Sequence, residues 1–181
     1  MIPTGPDNPA TVGSFVTTAP GGLSFNQAVT HDTIASGWWS TWSHGYLGDV
    51  YDTLDSATPT SLMITLPAHV VAFDFYTEPW TYDNFTVTAT AQDGTTLSQT
   101  VNGNGGATGF GFFESGPGSI TAITITSTDV GFAVGEFGMA QASGGGSVPE
   151  SGSTWVYLVL GLLAVHAAQR YFRNQGSNCT M

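Results

Sequence analysis

Short alternations of apolar and polar residues run through the chain from about Leu23 to Ala140. They comprise SLMITLP (Ser61–Pro67), HVVAFDFY (His69–Tyr76), NFTVTATA (Asn84–Ala91), TLSQTV (Thr96–Val101), TGFGFFE (Thr108–Glu114), SITAITITS (Ser119–Ser127) and VGFAVGEFG (Val130–Gly138). Each is rich in β-branched and aromatic residues, and turn-forming clusters separate them: Glu78-Pro79, Asp93-Gly94, Asn102 to Gly106 and Ser115 to Gly118. In NFTVTATA, Phe85, Val87 and Ala89 face one way and the threonines the other, as in a strand with one buried face. SITAITITS changes phase: Ile120 and Ala122 share one face, Ile123 and Ile125 the opposite one. That predicts a bulge near Ala122-Ile123 or a strand buried on both faces. TATAQDGTTLSQT predicts a hairpin around Asp93-Gly94. Strands spaced about ten residues apart, with no convincing amphipathic helix, predict an all-β fold, an antiparallel jelly-roll-like β-sandwich. Leu23–Val29 and Trp38–Tyr51 are expected to add one to three strands.

The pattern breaks at both ends. Residues 1–22 are rich in Pro, Gly, Thr and Asn and read as a loose leader, so the sandwich is expected over 23–141. A Gly/Ser linker over 142–147 then separates it from a segment of different texture, 148–174, and a polar tail, 175–181. Trp155 to Ala168 is apolar except for His166. As a helix, Thr154 to Phe172 would reach ~28 Å, close to the ~30 Å of a hydrocarbon core. Trp155 and Tyr157 at one end, and Tyr171 and Phe172 at the other, sit where interfacial aromatics belong. One C-terminal transmembrane helix is therefore expected.

Charge sets the orientation. The chain has thirteen Asp or Glu and two Lys or Arg, and both basic residues, Arg170 and Arg173, follow the apolar run. Residues 1–169 thus carry a formal charge of −13. The positive-inside rule puts the C-terminus in the cytoplasm and the acidic β domain outside. A surface of that sign repels phosphate backbones, which argues against a nucleic-acid partner and suits cations or neutral polymers. The one cysteine, Cys179, permits no intrachain disulfide. MIPTGPDNPATVGSF shows neither the basic n-region nor the apolar h-region of a secretory signal, so export implies a start upstream or a trimmed form.

The stretch VPESGSTWVYLVLGLLAVHAAQRYFRN resembles a PEP-CTERM-type sorting segment, nearest the variant whose motif reads Val-Pro-Asp-Ser-Gly. The motif falls on Val148, Pro149, Glu150, Ser151 and Gly152, with Glu150 where that variant has Asp. The hydrophobic helix falls on about Trp155–Gln169 and the basic cluster on Arg170 and Arg173. The resemblance implies that an exosortase, a membrane-embedded cysteine transpeptidase, recognises this tail and cuts near the motif. The ectodomain would pass from the cell envelope to the cell surface or medium, in association with exopolysaccharide and biofilm matrix. The stretch from Thr60 to Ala140 is similar to ectodomains that precede such tails.

The residues offer candidates for three chemistries. For catalysis, His31, His44 and His69 are possible bases, and Glu78, Glu114 and Glu136 possible glycosidase carboxylates. There is no Gly-x-Ser-x-Gly elbow and no His-Glu-x-x-His motif, and the reading is of a non-catalytic protein. For metal, GDVYDTLDS groups Asp49, Asp52 and Asp55, hard oxygen donors suited to Ca²⁺; solvated loop carboxylates are the alternative. For sugar, SGWWSTWSHGYLGDVY concentrates Trp38, Trp39, Trp42, Tyr46 and Tyr51, rings able to stack on sugars or to fill a core. The overall expectation is a non-catalytic surface or matrix protein. A carbohydrate-binding module, a carbohydrate-active enzyme and a self-assembling structural protein remain as alternatives.

Overall fold

The computed structural model describes residues 12–34, 39–53 and 60–142. The chain divides into two units, Met1–Ala142 and Ser143–Met181, and every described residue belongs to the first. Its described residues form ten strands: β1 (Phe15–Ala19), β2 (Leu23–Thr33), β3 (Asp49–Asp52), β4 (Thr60–Thr65), β5 (Val70–Pro79), β6 (Asn84–Ala91), β7 (Thr96–Asn102), β8 (Thr108–Phe113), β9 (Ala122–Ser127) and β10 (Phe132–Gln141). All pairings are antiparallel. The all-β, antiparallel expectation therefore holds for the described residues. Among them no helix is long and apolar enough to cross a membrane. The expected linker beyond Ala142, the motif Val148 to Gly152, the helix and Arg170 and Arg173 lie outside the described residues.

The strands join in the order β7-β6-β9-β4-β2-β3-β10-β5-β8, with β1 paired to β2. The long strand β2 bonds β4 at Ser24 and Phe25 and β3 from Thr30 to Thr33, so the sheet folds over along it. This gives two layers, β4-β9-β6-β7 and β3-β10-β5-β8. Their inner faces meet in one core. Leu62, Ile64, Val87, Ala89, Ile123 and Ile125 come from one layer, and Tyr51, Phe73, Phe75, Phe110, Phe132 and Val134 from the other. The alternation sorts each strand: β4 buries Thr60, Leu62 and Ile64 and exposes the residues between them. Each fully buried aliphatic or Phe side chain contributes about 1.5–3 kcal/mol.

The one to three strands expected from Leu23–Val29 and Trp38–Tyr51 are found as β2 and β3, the described part of the second stretch before Asp49 being loop. Two other expectations change. The leader placed at 1–22 contains β1, because Phe15 and Val16 pair with Thr30 and Val29 of β2. The phase change in SITAITITS needs neither of the two explanations offered. Ile120 precedes β9 and donates its N–H to Val70 O of the facing layer, and only from Ala122 does the strand alternate with Ile123 and Ile125 inside. The hairpin at Asp93-Gly94 forms as expected: Gly94 takes φ +87°, and Asp93 Oδ1 accepts from Thr95 N at 2.9 Å.

An aromatic-walled cleft on the outer face

The outer face of β2-β3-β10-β5 is not an ordinary solvent face. Cross-strand partners share a face, and the register puts Thr30, Asp52, Ala133 and Glu78 in one row, with Asp32, Val50, Gly135 and Tyr76 in the next. The described part of the loop before β3 lies over these rows. Trp39, Ile34, Val50 and Ala133 form a second apolar cluster, and Trp42 and Tyr46 pack against it.

Carboxylates hold this loop. Trp39 Nε1 donates to Glu78 Oε2 at 2.9 Å and Thr41 Oγ1 donates to Oε1 at 2.8 Å, while the Gly106 backbone N–H donates to the same carboxyl. The Trp39 backbone N–H donates to Asp32 Oδ2 at 2.9 Å. Glu78 is completely buried. Loss of solvation pushes its carboxyl above the usual range, and the three donors pull part of the way back. Residues 1–169 hold no Lys or Arg to balance it. Further along the loop, Trp42 Nε1 donates to Glu136 Oε2 at 3.1 Å. Glu136 sits in a register shift of β10 with φ +52°, a left-handed conformation uncommon for a residue with a side chain.

Beside Trp39 a cleft of about 390 Å³ opens, lined by Trp39, Ser40, Thr41, Pro79, Trp80, Thr81, Tyr82 and Gly103. Trp80 is 47% exposed and Tyr82 67%, and Trp80 meets Trp39 edge-on with ring centroids 5.3 Å apart. The turn carrying Trp80 and Tyr82 is fixed from below. Buried Asp129 accepts from Thr81 N at 2.7 Å and from Thr81 Oγ1 at 2.8 Å, and Trp80 N donates to Gly131 O. Gly103 closes the other side, where a Cβ would lie 2.0 Å from Thr81 O, so only glycine fits.

Of the five aromatic candidates, Trp39 lines the cleft, largely buried as its wall, and Tyr51 lies in the main core between the layers. Trp42 and Tyr46 do not line it; they pack on the second cluster. Trp38 lies outside the described residues. Trp80 and Tyr82 escaped the sequence reading, although EPWTYDN sets two large rings in a turn between strands.

Two of the proposed calcium trio, Asp49 and Asp52, are not brought together. Asp49 and Asp52 lie three apart in β3 and leave from opposite faces: Asp52 joins the outer row, whereas Asp49 Oδ1 lies 2.9 Å from His31 Nε2. Asp55 lies outside the described residues. Among the described residues no three His, Cys, Asp or Glu side chains are grouped to hold a metal. As for the possible glycosidase carboxylates, Glu78 and Glu136 are tied to Trp39 and Trp42, and Glu114 follows β8.

The fold and cleft together define an all-β domain with an aromatic-walled groove. No family model and no curated protein matches the sequence. Among solved structures, the enzymatically active domain of tailspike protein 4 of bacteriophage CBA120 is similar over 65% of this chain, with a TM-score of 0.32 and 13% identity. The match spans 19% of that structure's chain, and a likeness at this level carries no argument about function.

Proposed function

We propose that the chain is an exported, non-catalytic surface or matrix protein whose β domain binds a carbohydrate polymer in the Trp39–Trp80–Tyr82 cleft. The observation that carries the reading is the pair of exposed rings, Trp80 and Tyr82, on a rigidly held turn, with hydroxyls of Ser40, Thr41 and Thr81 around the cleft. Aromatic faces stack on the C–H faces of sugar rings, Ser40 can donate to a sugar oxygen, and Thr41 and Thr81, whose hydroxyl hydrogens go to Glu78 and Asp129, can accept from sugar hydroxyls. With no Lys or Arg in residues 1–169, the site suits a neutral polymer rather than a uronate or sulfated one. Glu78 supports a non-catalytic role, since both its oxygens are engaged in holding the wall of the cleft.

The order β3-β10-β5-β8 and β4-β9-β6-β7 supports the jelly-roll reading of the fold. Every connection from β3 to β10 crosses between layers except the β6–β7 hairpin. The three-part order of Val148 to Arg173 supports surface delivery through an exosortase. A glycan screen of the full-length chain, with and without Ca²⁺, tests the first half of the proposal: retention of neutral polysaccharide lost in Trp80→Ala and Tyr82→Ala is the expected result. Absence of binding in both conditions rejects it. Mass spectrometry of the mature envelope-bound protein tests the second half, and an intact Met181 rejects processing.

A further inference from the structure

Among the described residues, β7 and β8 end the strand order, and each has one strand neighbour, β6 and β5 respectively. Half of their backbone groups therefore lack a ladder partner, and the phase of each ladder identifies them. Gly103 N bonds Asp83 O and Ala91 N bonds Thr95 O, so the odd residues of β7 bond β6 and Ser98 and Thr100 turn their N–H and C=O outward. Glu114 N bonds Val71 O, so the even residues of β8 bond β5 and Gly109, Gly111 and Phe113 turn theirs outward. One of these groups is met across the seam: Gln99 Nε2 donates to Gly109 O at 2.9 Å. Beyond that bridge a cleft of about 420 Å³ separates the strands toward Thr96 and Phe113.

The seam lays the core open. Leu97 shares the inward face with Ala89 and Val101 yet is 37% exposed. Edge strands are commonly protected by Lys, Pro or an inward charge; TLSQTVN and TGFGFF have none. Gly111 adds a second sign. A Cβ there would meet nothing closer than 3.9 Å, and its φ is not left-handed, so the fold does not require glycine. Its effect is to leave a bare edge that another backbone can approach. At the open end stand the carboxylates of Asp93 and Glu114, held by Thr95 N and Gly116 N.

We propose that this seam accepts, by strand addition, an extended segment of a partner polypeptide bearing alternate apolar residues and a Lys or Arg at the Asp93–Glu114 end. The added strand bonds Thr96 and Ser98 on one side and Gly111 and Phe113 on the other, on the open side of the Gln99–Gly109 bridge, and its apolar residues cover Leu97. Charge selects the partner. Residues 1–169 of a second copy hold no Lys or Arg to offer the two carboxylates, so the strongly acidic β domain of another molecule is disfavoured.

The test uses the full-length chain and a short capped peptide of alternating Thr and Val ending in Lys. Saturable binding is expected, with amide exchange slowed at Ser98 and Gly111. Affinity should fall about tenfold or more when Lys is replaced by Glu, and binding should vanish when alternate peptide nitrogens are methylated. Gly111→Pro and Ser98→Pro each remove only an outward N–H, so they should keep the β5–β8 and β6–β7 ladders and weaken binding. No binding to the wild-type chain, or equal binding of the Lys, Glu and N-methylated peptides, overturns the proposal. Concentration-dependent dimerisation without peptide, abolished by Gly111→Pro, overturns the choice of occupant in favour of a second copy.

Discussion

Glu78 shows how a single residue ties fold to site. Its carboxylate lies under Trp39 with no cation to balance it, and it exists to receive three donors. Glu78→Ala orphans the Trp39, Thr41 and Gly106 donors and should cost about 2–3 kcal/mol, read by urea unfolding. The pH dependence follows from the raised pKa. The folded state holds the proton more tightly than the unfolded chain, whose Glu titrates near 4.5. The stabilisation by protonation is complete below that value and is lost as pH rises through the folded pKa. Asp74, also raised by burial, acts in the same direction from its ordinary 3.8. Unfolding midpoints should therefore rise as pH is lowered from neutrality toward 5, and Glu78→Gln should flatten that rise. Nothing in the residue order announced this role: Glu78 looked like half of a turn signal or one of three possible acids, because the partners that define it lie 37 and 39 positions away in sequence.

The strands from β4 to β10 were legible because they are short runs of β-branched and aromatic residues, alternating most clearly in β4, β6 and β9, and the turns between them carry Gly, Asn or Asp where the backbone needs them. The region before β3 was not, because its described part, residues 39–48, folds against the outer face of the sheet rather than alternating in a strand. Its aromatics are sorted by carboxylates on β2, β5 and β10, contacts that only the three-dimensional register creates. The cleft was half legible: Trp39 came from the aromatic cluster, whereas Trp80 and Tyr82 lay in a short turn read only as punctuation. Asp129 is the support of that turn. Asp129→Ala should destabilise the domain by about 2–3 kcal/mol, since it frees the Thr81 N–H and hydroxyl in a buried place. Glu136→Ala should leave β10 paired but release Trp42, giving faster hydrogen exchange through residues 42–46 with a smaller change in global stability.

Across the whole molecule, the distribution of charge decides more than its amount. Thirteen carboxylates precede the first basic residue, so the β domain repels itself and screening should stabilise it. Raising NaCl from low salt to ~0.15 M, where the Debye length is about 8 Å, should raise the melting temperature. The same imbalance turns away acidic polymers and leaves hydrogen bonding and ring stacking as the means of recognition. The central claim, that the Trp39–Trp80–Tyr82 cleft takes a neutral carbohydrate, is tested most directly by calorimetric titration of the full-length chain with a soluble neutral oligosaccharide retained in the glycan screen. Wild type, Trp80→Ala and Phe113→Ala are compared, Phe113 being an exposed ring away from the cleft. The account predicts saturable binding, weakened about tenfold or more by Trp80→Ala and unchanged by Phe113→Ala. Equal affinity of the wild type and Trp80→Ala would contradict it.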